Sequence, residues 1–525
     1  MEQVKYRTTG IVAALCMMTG IFVLSQVETD NPDVRVHQHM QEVPSECGCD
    51  GSQLCTHLPL VVIETGGREI PGAVVGDTPQ WSMLKDETDQ ADVAARKLPG
   101  AERVQETEST QIQEDNYEGE KYTTTEEGSD MLSVHVSIMD DPDKKHHPDD
   151  DPDVESTALI RIRGNTSRRF DKKNYLLRFT DQDGQYQEEE VMGMDAHYEW
   201  ALHGPYLDKS LIRNYLWYNI AGEIMDYAPN VRFCEVILDG TYIGVYLMTE
   251  TITNGVDSRL NISEPVENTT ETGYLLRLDR YTEDQLRNLD NFTAYTFKNT
   301  DQVEIRYPKS GSLTPKMQRA IEQEFSDFEK ALYSFDYDTD DYGYWHNIDT
   351  GSFVDYWILN EFTSNTDAGR YSTYLYKDIG GRYKMVIWDF NSACDNYQAE
   401  ETSPYTFSMQ DDLWYQMLMR DEDFTERIID RYRKLRKTWL SDEYLEQYID
   451  ETLEYLGDAI DRNFSVWDYT FELPLLRPES RNIRSHEEAV AQLKEYIQLR
   501  GQWLDENIET IQQYSHASKN KRYNH

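Results

Sequence analysis

Positive charge is scarce in this chain: 51 Lys and Arg stand against 97 Asp and Glu in 525 residues, a formal net charge of −46. So negative a surface repels a phosphate backbone, which excludes nucleic acid as an expected partner. Cysteine is scarcer still, six in all, too few for a disulfide scaffold at this length. Only one long apolar run occurs, Gly10–Leu24, preceded by Lys5 and Arg7. A basic flank followed by an apolar run reads as an export signal. Its fifteen residues fall short of the ~20 that span a bilayer comfortably. No Ala-x-Ala cleavage site follows, and Leu15 stands before Cys16 where a lipoprotein box needs a small residue. The expectation is an extracytoplasmic protein, membrane-anchored or secreted, meeting a membrane only through residues 1–28. A buried helix of a soluble domain is the alternative.

Other absences narrow the chemistry. No internal repeat is evident. The acidic loop at 140–153, Asp-Asp-Pro-Asp-Lys-Lys-His-His-Pro-Asp-Asp-Asp-Pro-Asp, lacks the Gly and the closing Glu of an EF-hand. It reads as a solvated charged loop, with calcium binding as the alternative. Cys47, Cys49 and Cys55 lie close together, with His57 just beyond. A zinc clip, a local disulfide and no function at all stay open there, because Cys-x-Cys followed by x5-Cys is not a standard zinc spacing.

Aromatic residues are plentiful at 12%, with 36 tyrosines. Disordered chains are poor in aromatics, so most of this chain folds. Leu58–Gly67 reads as a strand entering a Gly66-Gly67 turn, and Ser133–Ile138, Ala158–Arg163 and Asn174–Thr180 read as strands. Val231–Leu238 and Thr241–Glu250 flank Asp239-Gly240 as a hairpin. Ser210–Met225 has helical spacing. Thr314 caps a helix with Pro315 in its first turn, and Met317, Ile321, Phe325, Phe328 and Leu332 on one face. After about residue 410 the pattern is helical to the end, with Val490, Leu493, Ile497, Leu504, Ile508 and Ile511 in one stripe. This is an α+β plan. Its segments are a signal or anchor at 1–28, a β-containing extension with an acidic insertion at 29–130, a main domain at 131–515 and a polar tail at 516–525.

The chemistry concentrates in Asn365–Tyr397. Asp367 precedes a short aromatic strand, and Asp389 follows the apolar run Lys384–Trp388. Two carboxylates about 22 residues apart, each beside a strand, suit phosphoryl transfer: one orients the attacking hydroxyl and the other holds a metal. Aspartates at strand ends also form turns, so spacing alone leaves both readings open.

Five blocks, in order, narrow the choice: Ile162–Ser167, Lys172–Tyr175, Leu207–Asn214, Gly244–Glu250 and Asn365–Tyr397. Together they resemble the CotH family, the spore-coat-protein-H-type atypical protein kinases, over about residues 130–515. The resemblance implies a divergent two-lobed protein-kinase-like fold with a β-rich N-terminal extension and an all-helical C-terminal part. It implies ATP with Mg²⁺ or Mn²⁺ as cofactors, Asp367 as catalytic base and Asp389 as metal ligand. Ordinary kinases place an Asn metal ligand five positions after the catalytic Asp. Here that position is Ser372, followed by Thr373, with Asn391 and Asp395 as substitutes. For the nucleotide the resemblance points to Arg163, Asn165, Thr166 and Ser167 over the phosphates. It also points to Lys173 or Lys172 as the phosphate-pairing lysine, with Glu250 or Glu223 as its partner. Val245–Met248 would meet adenine, and Trp388 or Tyr175 would sandwich the ring.

The function this implies is an extracytoplasmic Ser/Thr protein kinase whose partner is a protein substrate, with Ser-rich coat or surface proteins in view. Two alternatives remain: a non-catalytic surface or coat protein, and phosphoryl or nucleotidyl transfer to a non-protein acceptor.

Overall fold

Alternating apolar residues build the first half of the molecule as strands. The computed structural model describes residues 35–44, 47–74, 77–96, 122–125, 128–255, 259–280, 287–296 and 301–518. The chain divides into two compact units, Met1–His37 and Gln38–His525, and every element below belongs to the second. The apolar segment Gly10–Leu24 lies outside the described residues. Among those residues no helix is long and apolar enough to cross a membrane.

The strands in chain order are β1 (Leu60–Glu64), β2 (Thr123–Thr124), β3 (Asp130–Met139), β4 (Val154–Ile162), β5 (Tyr175–Thr180), β6 (Glu189–Val191), β7 (Met194–His197), β8 (Glu199–His203), β9 (Val231–Leu238) and β10 (Thr241–Glu250). The main sheet runs β1-β9-β10-β8-β5-β4-β3-β2, and β1 also pairs with β3. The pairing is parallel to β9 and antiparallel to β3. The sheet therefore closes on itself as a barrel-like layer that leaves few open edges. Val136, Ile160, Leu177, Leu202, Val236 and Met248 fill its interior. The hairpin forms where expected: Asp239 and Gly240 both take positive φ, at 46° and 76°, the geometry a tight two-residue turn needs. Residues 60–64, read from sequence as part of an extension, close the sheet.

A second, larger core surrounds the buried helix Thr350–Thr363 and includes the helices Arg213–Ile224 and Pro315–Tyr333. The Thr314 side chain accepts from Met317 N, and Met317, Ile321, Phe325, Phe328 and Leu332 are all buried. Asp208 takes Arg213 N at 2.9 Å and Ser210 N at 3.1 Å, capping the entry to Arg213–Ile224 from upstream. A four-stranded sheet, order β12-β11-β13-β14, packs here: β11 (Tyr274–Arg280), β12 (Asp301–Tyr307), β13 (Thr373–Lys377) and β14 (Lys384–Val386). Beyond residue 410 the described elements are all helical. In the helix His486–Asn507 Leu493, Ile497 and Leu504 are buried with Val490 half-buried, and Ile508 and Ile511 are buried in the 3-10 helix Ile508–Tyr514 that follows. The structure is thus mixed α and β, a barrel-like sheet followed by helices.

Candidate functional site

Residues of both sheets line one open cavity of about 1110 Å³. The barrel-like sheet contributes Arg178 from β5, then Glu199 and His203 from β8. The smaller sheet contributes Arg277 and Arg280 from β11. Asp367, Ser372, Trp388, Asp389 and Asn391 close the far wall.

The segment carrying the two aspartates is held in an unusual backbone. Of nine described non-glycine residues with positive φ, five fall between Ser364 and Asp395, Asp389 among them at 62°. Such conformations cost about 1–3 kcal/mol each and persist only where neighbours over-determine them. Three side chains do so at Asp389. The Tyr218 hydroxyl accepts from Asp389 N at 3.0 Å, Asn214 Oδ1 accepts from Phe390 N at 2.8 Å, and Asn365 Nδ2 donates to Asp389 O at 3.2 Å. Two of the three come from the helix Arg213–Ile224, so that helix sets where the Asp389 carboxylate points.

The carboxylate itself is oriented by a relay. Asn391 Nδ2 donates to Asp389 Oδ1 at 2.7 Å, and Asn391 Oδ1 meets His203 Nε2 at 2.9 Å. Because a carboxylate only accepts, the Asn391 amide faces it with its NH₂, and His203 must donate from Nε2 to the amide oxygen. Burial pulls the His203 pKa down against the pull of Asp389, so the ring donates as a neutral imidazole. Asp367 is set differently. Burial, then the charge of Asp389, pushes its carboxyl up to about 6, while Arg280, 3.9 Å away, opposes them. Arg280 is pinned by stacking 3.7 Å above the Tyr371 ring.

Arginine supplies the cationic wall. No lysine lines the cavity among the described residues, whereas Arg161, Arg163, Arg168, Arg178, Arg277 and Arg280 do. Arg161 and Arg168 each keep a buried Nε without a hydrogen-bond partner. Arg163 lies 5.2 Å over the Trp388 ring, whose other neighbours are Tyr218, stacked at 5.7 Å, and Tyr374, edge-on at 6.2 Å. Gly164, between Arg163 and Asn165, has φ 105°, and a Cβ there would strike Ser167 Oγ. Only glycine makes this turn, which brings backbone and the Ser167 hydroxyl to the cavity rim.

A family model for CotH kinase protein matches residues 160–504. The chain belongs to the CotH family. None of the curated proteins compared with it matches.

Of the residues the CotH resemblance nominated, the cavity gathers Asp367, Asp389, Asn391, Ser372, Arg163, Asn165, Ser167 and Trp388. Lys173 is not among them: it is buried, and its Nζ donates to Arg168 O at 2.9 Å, bracing the loop from behind. Lys172, in the bend before β5, buries Nζ against Val245 O and Asn463 Oδ1, both at 2.7 Å. Glu250 is also turned away. It ends β10 fully buried, accepting from Asn230 N at 2.8 Å with Arg259 3.9 Å distant. Val245–Met248 is an inner strand segment, paired to β9 along its length and to β8 at Leu247 and Met248. Its backbone is committed to the sheet. Tyr175 stacks on Tyr246 in the barrel interior. Asp395 accepts from Thr402 N and Arg481 Nη2, and Thr373 Oγ1 accepts from Gly369 N, so both hold loops.

A charged pair that does line the cavity is Arg178 with Glu199, neighbours across β5 and β8 with Nε to Oε2 at 2.8 Å. Both are buried at the cavity wall. The sequence signal was present: Tyr175-Leu-Leu-Arg178 and Tyr274-Leu-Leu-Arg277 each place an arginine inside an apolar strand, where charge is rare unless paired or functional.

Proposed function

We propose that this CotH-family protein is an extracytoplasmic atypical protein kinase with a divergent two-lobed kinase-like fold. It moves the ATP γ-phosphate to a serine or threonine hydroxyl of a protein, with Ser-rich coat or surface proteins as the substrate class. The observation that carries this reading is two aspartates of separate environment on one arginine-lined cavity. In a chain of net charge −46, a cluster of arginines held against that charge is a local field for a polyanion.

The family implies ATP and a divalent metal, and the donors present fit both. The unpartnered Nε atoms of Arg161 and Arg168 and the turn at Gly164 make a phosphate cradle. Asp389, oriented by Asn391, offers the hard oxygen Mg²⁺ or Mn²⁺ takes, and Ser372 and Asn391 stand within the same wall. When bound, the metal neutralises charge on the phosphates. Asp367 takes the proton of the acceptor hydroxyl: a carboxyl pushed to about 6 is ionised at neutral pH yet more basic than an ordinary aspartate. General bases contribute about 10²–10⁴-fold. The half-buried face of Trp388 receives the flat base, and Arg178, fixed by Glu199, stands in for the lysine that ordinary kinases place on the phosphates. The basic flank and apolar run at the N-terminus support export.

A second reading rests on there being no cavity lysine among the described residues and on Ser372 at the usual Asn position: a non-catalytic surface or coat protein that keeps the fold for assembly. Thermal midpoints with and without ATP plus Mn²⁺ separate the two at the binding step. At ligand 100 times Kd, binding adds about 2.7 kcal/mol. A metal-dependent rise lost in Asp389→Ala supports the kinase site, and no rise up to millimolar ATP leaves the assembly reading. Protein and glycan acceptors tested in parallel then separate protein kinase activity from transfer to a non-protein acceptor.

A further inference from the structure

Far from that cavity in sequence, the three clustered cysteines acquire a fourth partner that their spacing does not announce. The ligand atoms of Cys47, Cys49, Cys55 and His147 all lie within 4.8 Å of one another, with Cys47 Sγ 3.3 Å from His147 Nε2. We infer that these four residues form a structural Zn²⁺ site, Cys₃His, that ties the segment before β1 to the β3–β4 loop.

Four observations carry this. The first is size: zinc with sulfur at about 2.3 Å and nitrogen at about 2.0 Å in a tetrahedron sets its ligands about 3.5–3.8 Å apart. A cluster already within 4.8 Å needs only a small contraction. The second is the imidazole's far side. His147 Nδ1 meets Asp150 Oδ2 at 3.2 Å, and His147 N donates to the same oxygen at 2.8 Å. Zinc-bound histidines are commonly fixed by a carboxylate in this way, which leaves Nε2 as the ligand atom. The third is that the two segments are already joined. Thr56 and His146 exchange backbone hydrogen bonds, Thr56 N to His146 O at 3.1 Å and His146 N to Thr56 O at 2.7 Å, which places Cys55 and His147, their chain neighbours, side by side. The fourth is that the three thiols are free rather than bonded in pairs, so all three remain available as ligands.

His57, nearest in sequence, takes no part: its Nε2 meets Tyr455 O at 2.6 Å and its ring packs edge-on against Tyr455. Three thiolates and one imidazole select a soft or borderline cation over Mg²⁺ or Ca²⁺, and four protein ligands leave no open position for catalysis. The cluster lies outside residues 160–504, so it is no part of the family match.

The test uses the full chain, purified through a tag without histidine, from cells grown with zinc. Elemental analysis is expected to find one zinc per chain, and Cys55→Ser and His147→Ala to lose most of it. His57→Ala is the control and keeps it. Exchange of Co²⁺ into the wild-type protein is expected to give the intense visible bands and the near-ultraviolet thiolate charge-transfer band of a tetrahedral sulfur site. This readout holds even where a variant fails to fold. Wild-type protein free of zinc, taking up no Co²⁺ into such a spectrum, overturns the inference. So does a disulfide between any two of the three cysteines in the protein isolated unreduced from its own compartment, or zinc retained in full by both ligand variants.

Discussion

Asp367→Asn tests the electrostatics of the site without any substrate. Burial and the nearby Asp389 hold the Asp367 carboxyl at about 6 against an ordinary 3.8. Each pH unit is worth 1.36 kcal/mol, which sets a ceiling of about 3 kcal/mol. The side chain keeps 23% of its surface exposed, and solvent there reduces the penalty to about 1–2 kcal/mol. The direction follows from linkage. A group whose folded pKa is raised contributes its stability in full below the unfolded value. It loses that contribution as pH rises through the folded one. At pH 8 the wild-type protein therefore carries the cost of a buried, repelled carboxylate, and Asn, isosteric and neutral, removes it. Thermal or urea unfolding in buffer without added Mg²⁺ or Mn²⁺ is expected to show Asp367→Asn more stable by about 1–2 kcal/mol at pH 8. The gain shrinks between pH 6 and 4 and vanishes below about 4. A variant no more stable at pH 8, or stabilised equally at every pH, refutes the argument. The first outcome means Asp367 is not desolvated, and the second means the gain is packing rather than charge.

Three further outcomes follow from contacts already described. Asn391→Ala breaks the link between His203 and Asp389, and is expected to weaken Mn²⁺-dependent ATP binding by roughly 10–100-fold. Metal-free stability should move by about 1 kcal/mol; calorimetric titration with and without Mn²⁺ checks the split. Gly164→Ala meets both a φ of 105° and the Ser167 hydroxyl, so it is expected to cost at least about 1 kcal/mol in urea unfolding and to weaken ATP binding as the rim turn shifts. Arg500→Met leaves Glu361 buried with its main charge partner gone, and strips donors from Glu361 O, Pro404 O and Thr406 O. Denaturant unfolding should show a loss of about 3–5 kcal/mol, and a loss under 1 kcal/mol contradicts the pairing.

Local signals were legible wherever one short segment holds the whole instruction. Asp239-Gly240 between two apolar runs specifies its hairpin, and Thr314-Pro315 specifies a helix start. The α+β plan and the aspartates before β13 and after β14 follow from the same kind of pattern. What sequence hides is partnership across the chain. Leu60–Glu64 reads as a strand, but nothing in its five residues says that β3 lies on one side and β9 on the other. Lys173 looks like a phosphate lysine by position, yet the loop it follows folds back to take its Nζ as a brace. Glu250 ends the right hairpin but alternates to the buried face, and Arg178 with Glu199, 21 residues apart, takes the wall instead. The cysteines show the same limit: His57 is the neighbour in sequence, and His147, 100 residues from Cys47, is the neighbour in space.

Transfer of labelled phosphate tests the central claim most directly. The full chain would be incubated with Mn²⁺, a serine-rich protein acceptor and ATP labelled at the γ- or at the α-phosphate. Label from the γ-position should appear on acceptor serines with wild-type protein, and fall by at least about 10²-fold in Asp367→Asn, a variant that the stability measurement shows to be folded. Label from the α-position on the acceptor, or γ-label transferred equally by Asp367→Asn, contradicts the account.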